Sequence, residues 1–199
     1  MSGGTLDFEG VPSGGMPAGW RIEETNGKGT PASWQVVADE SAPSGGRVFA
    51  LTETANTNGT YNLAIAEHGG GIPRRDLVLT VKVLAVSGEE DQGGGPIWRC
   101  RDADNYYVCR INPLEDNFRV YKVIDGKRTK LGSATVALSA GKWYTLGVRM
   151  KGSTITCDLD GEPMLEAEDG DLPDAGMIGL WTKADAVTSF DDLTVQSAD

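Results

Sequence analysis

The chain has 199 residues, with 18 basic and 29 acidic side chains and a formal net charge of −11. That balance disfavours non-specific attraction to nucleic acid or to an anionic membrane surface, and no run approaches the about 18 apolar residues that a membrane-spanning helix requires. Five Trp, five Tyr and four Phe spread over the whole length exclude a disordered chain.

Short apolar–polar alternations broken by Gly, Pro, Asp and Asn predict strands at 19–23, 33–37, 47–52, 60–66, 76–86, 95–101, 106–112, 117–124, 127–132, 143–151, 154–160, 163–168, 176–181 and 187–195. No stretch pairs a 3.6-residue period with helix caps. The start, Met1-Ser-Gly-Gly4, has no basic segment followed by an apolar one, so no signal peptide is read there. Ala42-Pro-Ser-Gly-Gly46 reads as a loop. Asn58-Gly-Thr60 matches a glycosylation sequon but reads first as a turn. His68, in Glu-His-Gly-Gly-Gly, reads as a solvated loop residue rather than a catalytic base, and one histidine cannot anchor a histidine-based metal site. Ser87 to Gly95 is the most loop-like interior segment. Asp125-Gly126 and Asp160-Gly161 have the chemistry of two-residue type I′ hairpins, and Asp102-Ala-Asp-Asn105 separates two further strands. Many short strands of this kind predict an all-β fold, a two-sheet antiparallel jelly-roll sandwich forming a single domain over residues 1–199.

The charge is uneven. Residues 98–130 hold eight basic and five acidic side chains, a local balance of +3; the rest hold ten and 24, or −14. Pairing across the 103–106 turn sets Cys100 opposite Cys109 and Trp98 opposite Ile111. Trp98, Cys100, Tyr107, Cys109 and Ile111 then share one face, and Arg99, Arg101, Arg110 and Asn112 the other. The Asp125-Gly126 turn pairs Val120 with Leu131 and Tyr121 with Lys130. Phe118, Val120 and Leu131 become apolar, while Asn117, Arg119, Tyr121, Arg128 and Lys130 become polar. Two hairpins thus present one face rich in Arg, Asn and Tyr, either an ordinary solvated sheet face or a ligand face. Guanidinium forks and amides suit carboxylates and vicinal hydroxyls, so as a ligand face it favours uronate, sulfate or phosphate groups. Cys100 and Cys109 read as buried thiols or as a cross-strand bridge, with Cys157 a third small core residue. The cysteines show no zinc spacing.

The stretches Asp91-Gln-Gly-Gly-Gly95, Trp98-Arg99, Asp104-Asn-Tyr-Tyr107, Arg110-Ile-Asn-Pro-Leu-Glu-Asp-Asn117, Tyr121-Lys-Val123 and Gly126-Lys-Arg128 continue into Trp143, Asp160-Gly161, Gly179-Leu-Trp-Thr-Lys-Ala-Asp185 and Phe190-Asp-Asp-Leu-Thr-Val195. Together they resemble bacterial laminin-G-like proteins of the concanavalin A-like lectin/glucanase superfamily, near the 3-keto-disaccharide hydrolase domains. The resemblance covers residues 60–195 well and the first 60 loosely, and is specific for fold rather than activity. It implies a jelly roll whose concave sheet binds carbohydrate, with Arg99, Arg101, Arg110, Asn112, Asn117, Arg119 and Tyr121 on the ligand face. Trp181, a core residue or a sugar platform, and Lys183 stand at its rim. The ends Leu6-Asp-Phe-Glu9 and Phe190-Asp-Asp192 are similar to paired ends that hold a structural calcium in such modules, which points to Glu9 and Asp192 as metal ligands, with Asp7 and Asp191 in reserve.

The laminarinase-type Glu-x-Asp-x-x-Glu is absent; Glu166-Ala-Glu-Asp169 runs on into Gly-Asp. His68 lacks the surroundings expected of a lyase histidine, and no nucleophile elbow, phosphate loop or dinucleotide fingerprint occurs. Asp91, Asp104, Glu115 and Asp185 are the acids nearest the polar face. The leading expectation is a non-catalytic, lectin-like carbohydrate-binding domain favouring acidic glycans. The alternatives are a glycoside hydrolase acting on a 3-keto-disaccharide or polysaccharide, and a structural or interaction module of a secreted assembly. Carbohydrate is the expected partner, and export the expected destination.

Overall fold

The computed structural model describes residues 4–28, 30–67 and 73–198. Its strands are β1 (Thr5–Leu6), β2 (Trp20–Thr25), β3 (Ser33–Ala38), β4 (Arg47–Glu53), β5 (Tyr61–Ala66), β6 (Leu77–Ser87), β7 (Gly94–Asp102), β8 (Asn105–Asn112), β9 (Asn117–Ile124), β10 (Lys127–Thr135), β11 (Trp143–Lys151), β12 (Thr154–Leu159), β13 (Glu162–Glu168), β14 (Met177–Lys183) and β15 (Val187–Ser197). All the strands expected from the alternation are present, and β1 is added. The first sheet runs β13-β12-β11-β6-β15-β4-β3, with β1 also paired to β15; the second runs β10-β9-β8-β7-β14-β5-β2. Every ladder is antiparallel.

The two sheets bury one apolar layer between them. Val81, Val83, Leu146 and Val148 from the first sheet belong to one cluster with Trp98, Tyr107, Ile111, Phe118 and Val120 from the second. Trp98 stacks on Tyr107 at 5.7 Å, an aromatic pair of the kind that adds about 0.5–1.5 kcal/mol beyond its buried area. The Asp125-Gly126 turn forms as expected. Both residues are left-handed, with φ of 49° and 73°, as a type I′ turn demands, and Tyr121 pairs with Lys130. A bulge at Leu131 then sets Val120 opposite Gly132 instead of Leu131.

The β7–β8 hairpin departs from the expected pairing. Its turn is tighter, with Asp102 opposite Asn105, and Trp98 pairs with Tyr107 rather than Ile111. Surplus residues therefore accumulate in β7, where Arg99 takes φ 43°. The bulge reverses the alternation: Trp98 stays in the inter-sheet core, whereas Cys100 passes to the other face. Cys100 and Cys109 thus lie on opposite faces. All three cysteines are free and buried, and burial pushes the Cys100 thiol up to about 12.

The same bulge turns Arg99 inward. It is 2% exposed. Its guanidinium donates to the carbonyls of Arg75 (2.8 Å), Leu172 (2.9 Å) and Gly152 (2.7 Å) and to the Asp76 carboxylate (3.2 Å). Arg99 is a staple joining three connections, and its guanidinium donors are committed there rather than to the concave face. Arg101 is exposed and pairs with its neighbour Asp102 at 3.2 Å, beside the 171–175 loop and away from the polar face.

The second sheet has a further core on its outer face. Tyr61, Leu63, Ile65, Ile97, Tyr106, Val108, Val123 and Trp181 cluster there, nearly all fully buried, although no third layer among the described residues covers them. The sheet covers them itself by curling. Its edge strands are β2 and β10; laid flat, six gaps of about 4.8 Å would hold those edges about 29 Å apart. Instead Asn26, just past β2, donates its Nδ2 to the Gly126 carbonyl, just before β10, at 3.0 Å. Thr25 hydrogen-bonds Ala103 and the Tyr106 hydroxyl (2.8 Å), and the Gly126 amide donates to Asp104 (3.0 Å). The polar face expected from the sequence is the inside of this curl, and so concave.

Replacing Arg99 by Ala leaves three carbonyls without their donor, and a buried polar group left unsatisfied costs about 1–3 kcal/mol. Urea unfolding of R99A is expected to show that loss with no change in any ligand affinity measured on the folded protein. A loss below about 1 kcal/mol would contradict the staple assignment.

Candidate functional site

Strand ends gather chemistry at one end of the curl. β8 finishes at Asn112 and β9 begins at Asn117, opposite each other; β14 finishes at Lys183 opposite Tyr61, where β5 begins. Alternation points Arg110 and Asn112 of β8, and Asn117, Arg119 and Tyr121 of β9, to the concave side as expected. The structure brings these five together with Lys183, with Arg128 of the same expected face, and with Glu115 and Asp91, two of the four acids expected near it.

Tyr121 is the hub. Its hydroxyl accepts from Arg110 Nη2 (3.2 Å) and Arg119 Nη1 (3.5 Å). Its ring lies 4.3 Å from the Arg128 guanidinium and 5.8 Å from that of Arg110. Arg128 also stands over Tyr61 (5.1 Å) and Trp181 (5.8 Å). Three rings thus hold one cation by its faces, each such contact contributing about 0.5–2 kcal/mol. Holding a guanidinium this way spends none of its in-plane N–H donors. Arg128 Nη1 and Arg110 Nε remain unpaired among buried polar atoms.

Glu115 is the counter-charge. Its Oε2 accepts from Asn117 Nδ2 (2.8 Å), Arg119 Nη1 (3.0 Å) and Arg110 Nη2 (3.3 Å). The Asn117 hydrogen bond, followed by the arginine charges, holds this carboxyl below its ordinary range. Asn117 in turn accepts from Arg110 Nη1 at 2.7 Å. Arg110, Asn112, Asn117 and Tyr121 are buried; Arg119 at 28% and Glu115 at 46% side-chain exposure meet solvent.

A second ion pair borders the first cluster. Lys183 Nζ donates to Asp91 Oδ2 at 2.7 Å, and Asn112 Nδ2 to Asp91 Oδ1 at 3.1 Å. Asp185 accepts the Glu89, Glu90 and Asp91 amides, so it fixes the 89–91 loop that carries Asp91. Those amide hydrogen bonds outweigh burial and keep the Asp185 carboxyl low.

Trp181 is fully buried, and its Nε1 donates to the Tyr106 hydroxyl at 3.2 Å. It supports Arg128 from below and offers no free face for stacking. Arg128 was assigned to the polar face by hairpin register, but nothing in the sequence ranked it above Lys130. Its importance comes from the curl, which brings β10 over Tyr61. His68 lies outside the described residues.

The carboxylates expected to hold calcium are engaged with the 44–47 loop of the first sheet. Glu9 Oε1 accepts the amides of Gly46 (2.9 Å) and Arg47 (2.7 Å), which lowers its carboxyl. Gly45, at φ 62°, leaves room for this: a Cβ there would stand 2.1 Å from the Glu9 carboxyl carbon. Asp192 Oδ1 accepts the Ser44 hydroxyl (2.7 Å) and Asp191 Oδ2 the Ser44 amide (3.2 Å); burial pushes Asp191 up to about 6. Among the described residues, no group of three or more His, Cys, Asp or Glu could hold a metal ion. The donor set does not make a calcium cage.

Because the Glu115 carboxyl is lowered on folding, its contribution is complete above its unfolded value of 4.5 and fades as pH falls through the folded value. The stability gap between the wild type and Glu115→Gln is expected to narrow as pH drops below 4.5. It stays under about 1 kcal/mol for so exposed an ion pair. Parallel urea curves at pH 3.5 and 6 check this, and a gap that widens in acid would contradict it.

No curated protein matches the chain by sequence. Among solved structures, it is similar to the carbohydrate-binding module CBM66 from Bacillus subtilis at 19% identity and TM-score 0.69, over 90% of this chain and 96% of that one. The VIP36 exoplasmic/lumenal domain in its Ca2+/mannose-bound form aligns at 14% identity and TM-score 0.61, over 96% and 88%. Domain 4 of the extracellular arabinanase AbnA from Geobacillus stearothermophilus, in complex with arabinotriose, aligns at 10% identity and TM-score 0.58, over 90% and 82%. These likenesses confirm the lectin-type sandwich. Residues 89–198, which contain every member of the Tyr121 cluster except Tyr61, match the family described as the galactocerebrosidase C-terminal lectin domain, and the chain belongs to that family.

Proposed function

We propose that the chain is a non-catalytic, lectin-like carbohydrate-binding domain that takes a saccharide at the Tyr121 end of the curl and favours acidic sugars. One observation carries the reading: three guanidinium groups converge on a single phenol, and the one carboxylate beside them, Glu115, pairs with only Arg110 and Arg119. The surplus is positive, and Arg119 presents it to solvent. A uronate or sulfate oxygen would accept from that guanidinium through a charge-assisted bond, while a neutral sugar would supply only a hydroxyl. The saccharide ligands named for structurally similar domains support the ligand class, and such a role fits an exported protein.

Hydrolysis of a 3-keto-disaccharide or polysaccharide would need a carboxyl kept protonated to act on the leaving oxygen. Glu115 and Asp185 are both pushed the other way, and Asp91 is committed to Lys183 and Asn112. The environment of these acids therefore favours binding over bond cleavage.

Calorimetric titration with a glucuronate-bearing oligosaccharide and its neutral glucose counterpart tests the reading. The acidic ligand is expected to bind at least about tenfold more tightly, the equivalent of about 1.4 kcal/mol. Arg119→Ala, at a partly exposed position, should lose that advantage without a change in melting temperature. Calcium and a chelator should give the same curve, because the Glu9–Asp192 end belongs to the other sheet. Equal binding of the two ligands, or an unaltered R119A, would overturn the acidic preference.

A further inference from the structure

Beside the seam where Asn26 and Gly126 join the edges of the curled sheet lies a cavity of about 430 Å³, lined by Asn26, Lys28, Asn56, Thr57, Asn58 and Thr60 with Ala55 and Gly59. Its volume falls within the about 300–1,000 Å³ of small-ligand sites, but its chemistry is unlike that of the Tyr121 cluster. Side-chain amides and hydroxyls dominate; the Asn58 side chain offers both donors and an acceptor, while the Asn26 and Asn56 Nδ2 groups are bonded within the protein. The described lining residues include no carboxylate and no aromatic ring, and one lysine is the only charge. Such a wall suits the hydroxyls of a neutral sugar and offers little to an aromatic or apolar ligand.

The cavity is built rather than incidental. Asn56 Nδ2 donates to Asn62 Oδ1 (2.7 Å) and Glu24 Oε1 (2.5 Å). The Asn58 amide donates to Glu90 Oε2 (2.7 Å), and the Ala184 amide to the Thr60 carbonyl (3.1 Å). These bonds fix the 55–60 loop before any ligand arrives, which lowers the entropic cost of binding. The cavity also adjoins the Tyr121 cluster at two points. Thr60 is followed by Tyr61, whose ring faces Arg128, and Asn26 bonds Gly126, two residues before Arg128.

We propose that this cavity is a second, neutral-sugar subsite, so that the ligand is an oligosaccharide laid across the seam with its acidic residue at Tyr121 and a neutral residue among Asn56, Asn58 and Thr60. The inference rests on the saccharide reading above and specifies the ligand further: a chain of mixed charge rather than a uniformly acidic one.

The test compares free glucuronic acid with a trisaccharide of one glucuronate and two neutral hexoses. The wild type is expected to bind the trisaccharide about tenfold more tightly than the monosaccharide. Thr57→Trp fills the cavity from an exposed loop position, and Asn58→Ala removes one amide without adding bulk. Both should bind glucuronic acid as the wild type does, with T57W losing the tenfold gain and N58A losing part of it. A trisaccharide no tighter than glucuronic acid, or a gain that survives in both variants, would overturn the second subsite while leaving the first in place. Failure of glucuronic acid to bind the wild type would overturn the Tyr121 site and this inference with it.

Discussion

Asn26, at the end of one edge strand, donates to Gly126, at the start of the other, across a sheet that if flat would hold them about 29 Å apart. Closing that distance gives the outer face of the second sheet its own apolar core. Without the curl, Leu63, Ile65, Ile97 and Val108 would face water with nothing over them. With it, Tyr61 and Tyr121, carried on strands separated by β14, β7 and β8, reach the same guanidinium. The curl therefore sets both the fold's second core and the geometry of the Tyr121 cluster.

The cluster shows how an acidic chain keeps a basic site. Net charge is −11, yet exposed charges are screened over about 8–10 Å at ordinary ionic strength, so the distant acids do little to offset the local surplus of arginine. Ring faces hold Arg128, the Tyr121 hydroxyl and Asn117 hold Arg110, and Glu115 neutralises part of the charge. Buried guanidinium groups are costly unless compensated. Here the compensation comes mostly from neutral partners, which stabilise the cations while leaving them attractive to an anion.

The strands were legible because alternation and turn residues act locally. The Asp125-Gly126 turn fixes the pairing of Tyr121 with Lys130, and with it the concave placement of Asn117, Arg119 and Tyr121. The bulge in β7 was not legible: Arg99 at φ 43° carries no glycine or asparagine to announce it. A shift in register there moved Arg99 into a structural role and separated Cys100 from Cys109. The curl was hidden for a different reason. It depends on contacts between residues about 80–100 positions apart, such as Thr25 with Tyr106 and Asn26 with Gly126, and hairpin-level reasoning does not reach so far. Arg128, the cation at the centre of the aromatic cluster, could be assigned to a face but not to a role.

A saccharide bound at the Tyr121 cluster would touch the concave face of the second sheet and not the first. The most direct measurement is NMR mapping of arginine side-chain Nε–H, backbone amide and tryptophan indole resonances during titration with a glucuronate-bearing oligosaccharide. The account predicts that shifts concentrate at Arg110, Arg119 and Arg128, extend to the Trp181 indole beneath them, and spare Arg99 and the 44–47 loop. Shifts centred on the first sheet, or on the Glu9 and Asp192 end with the three arginines unmoved, would contradict it.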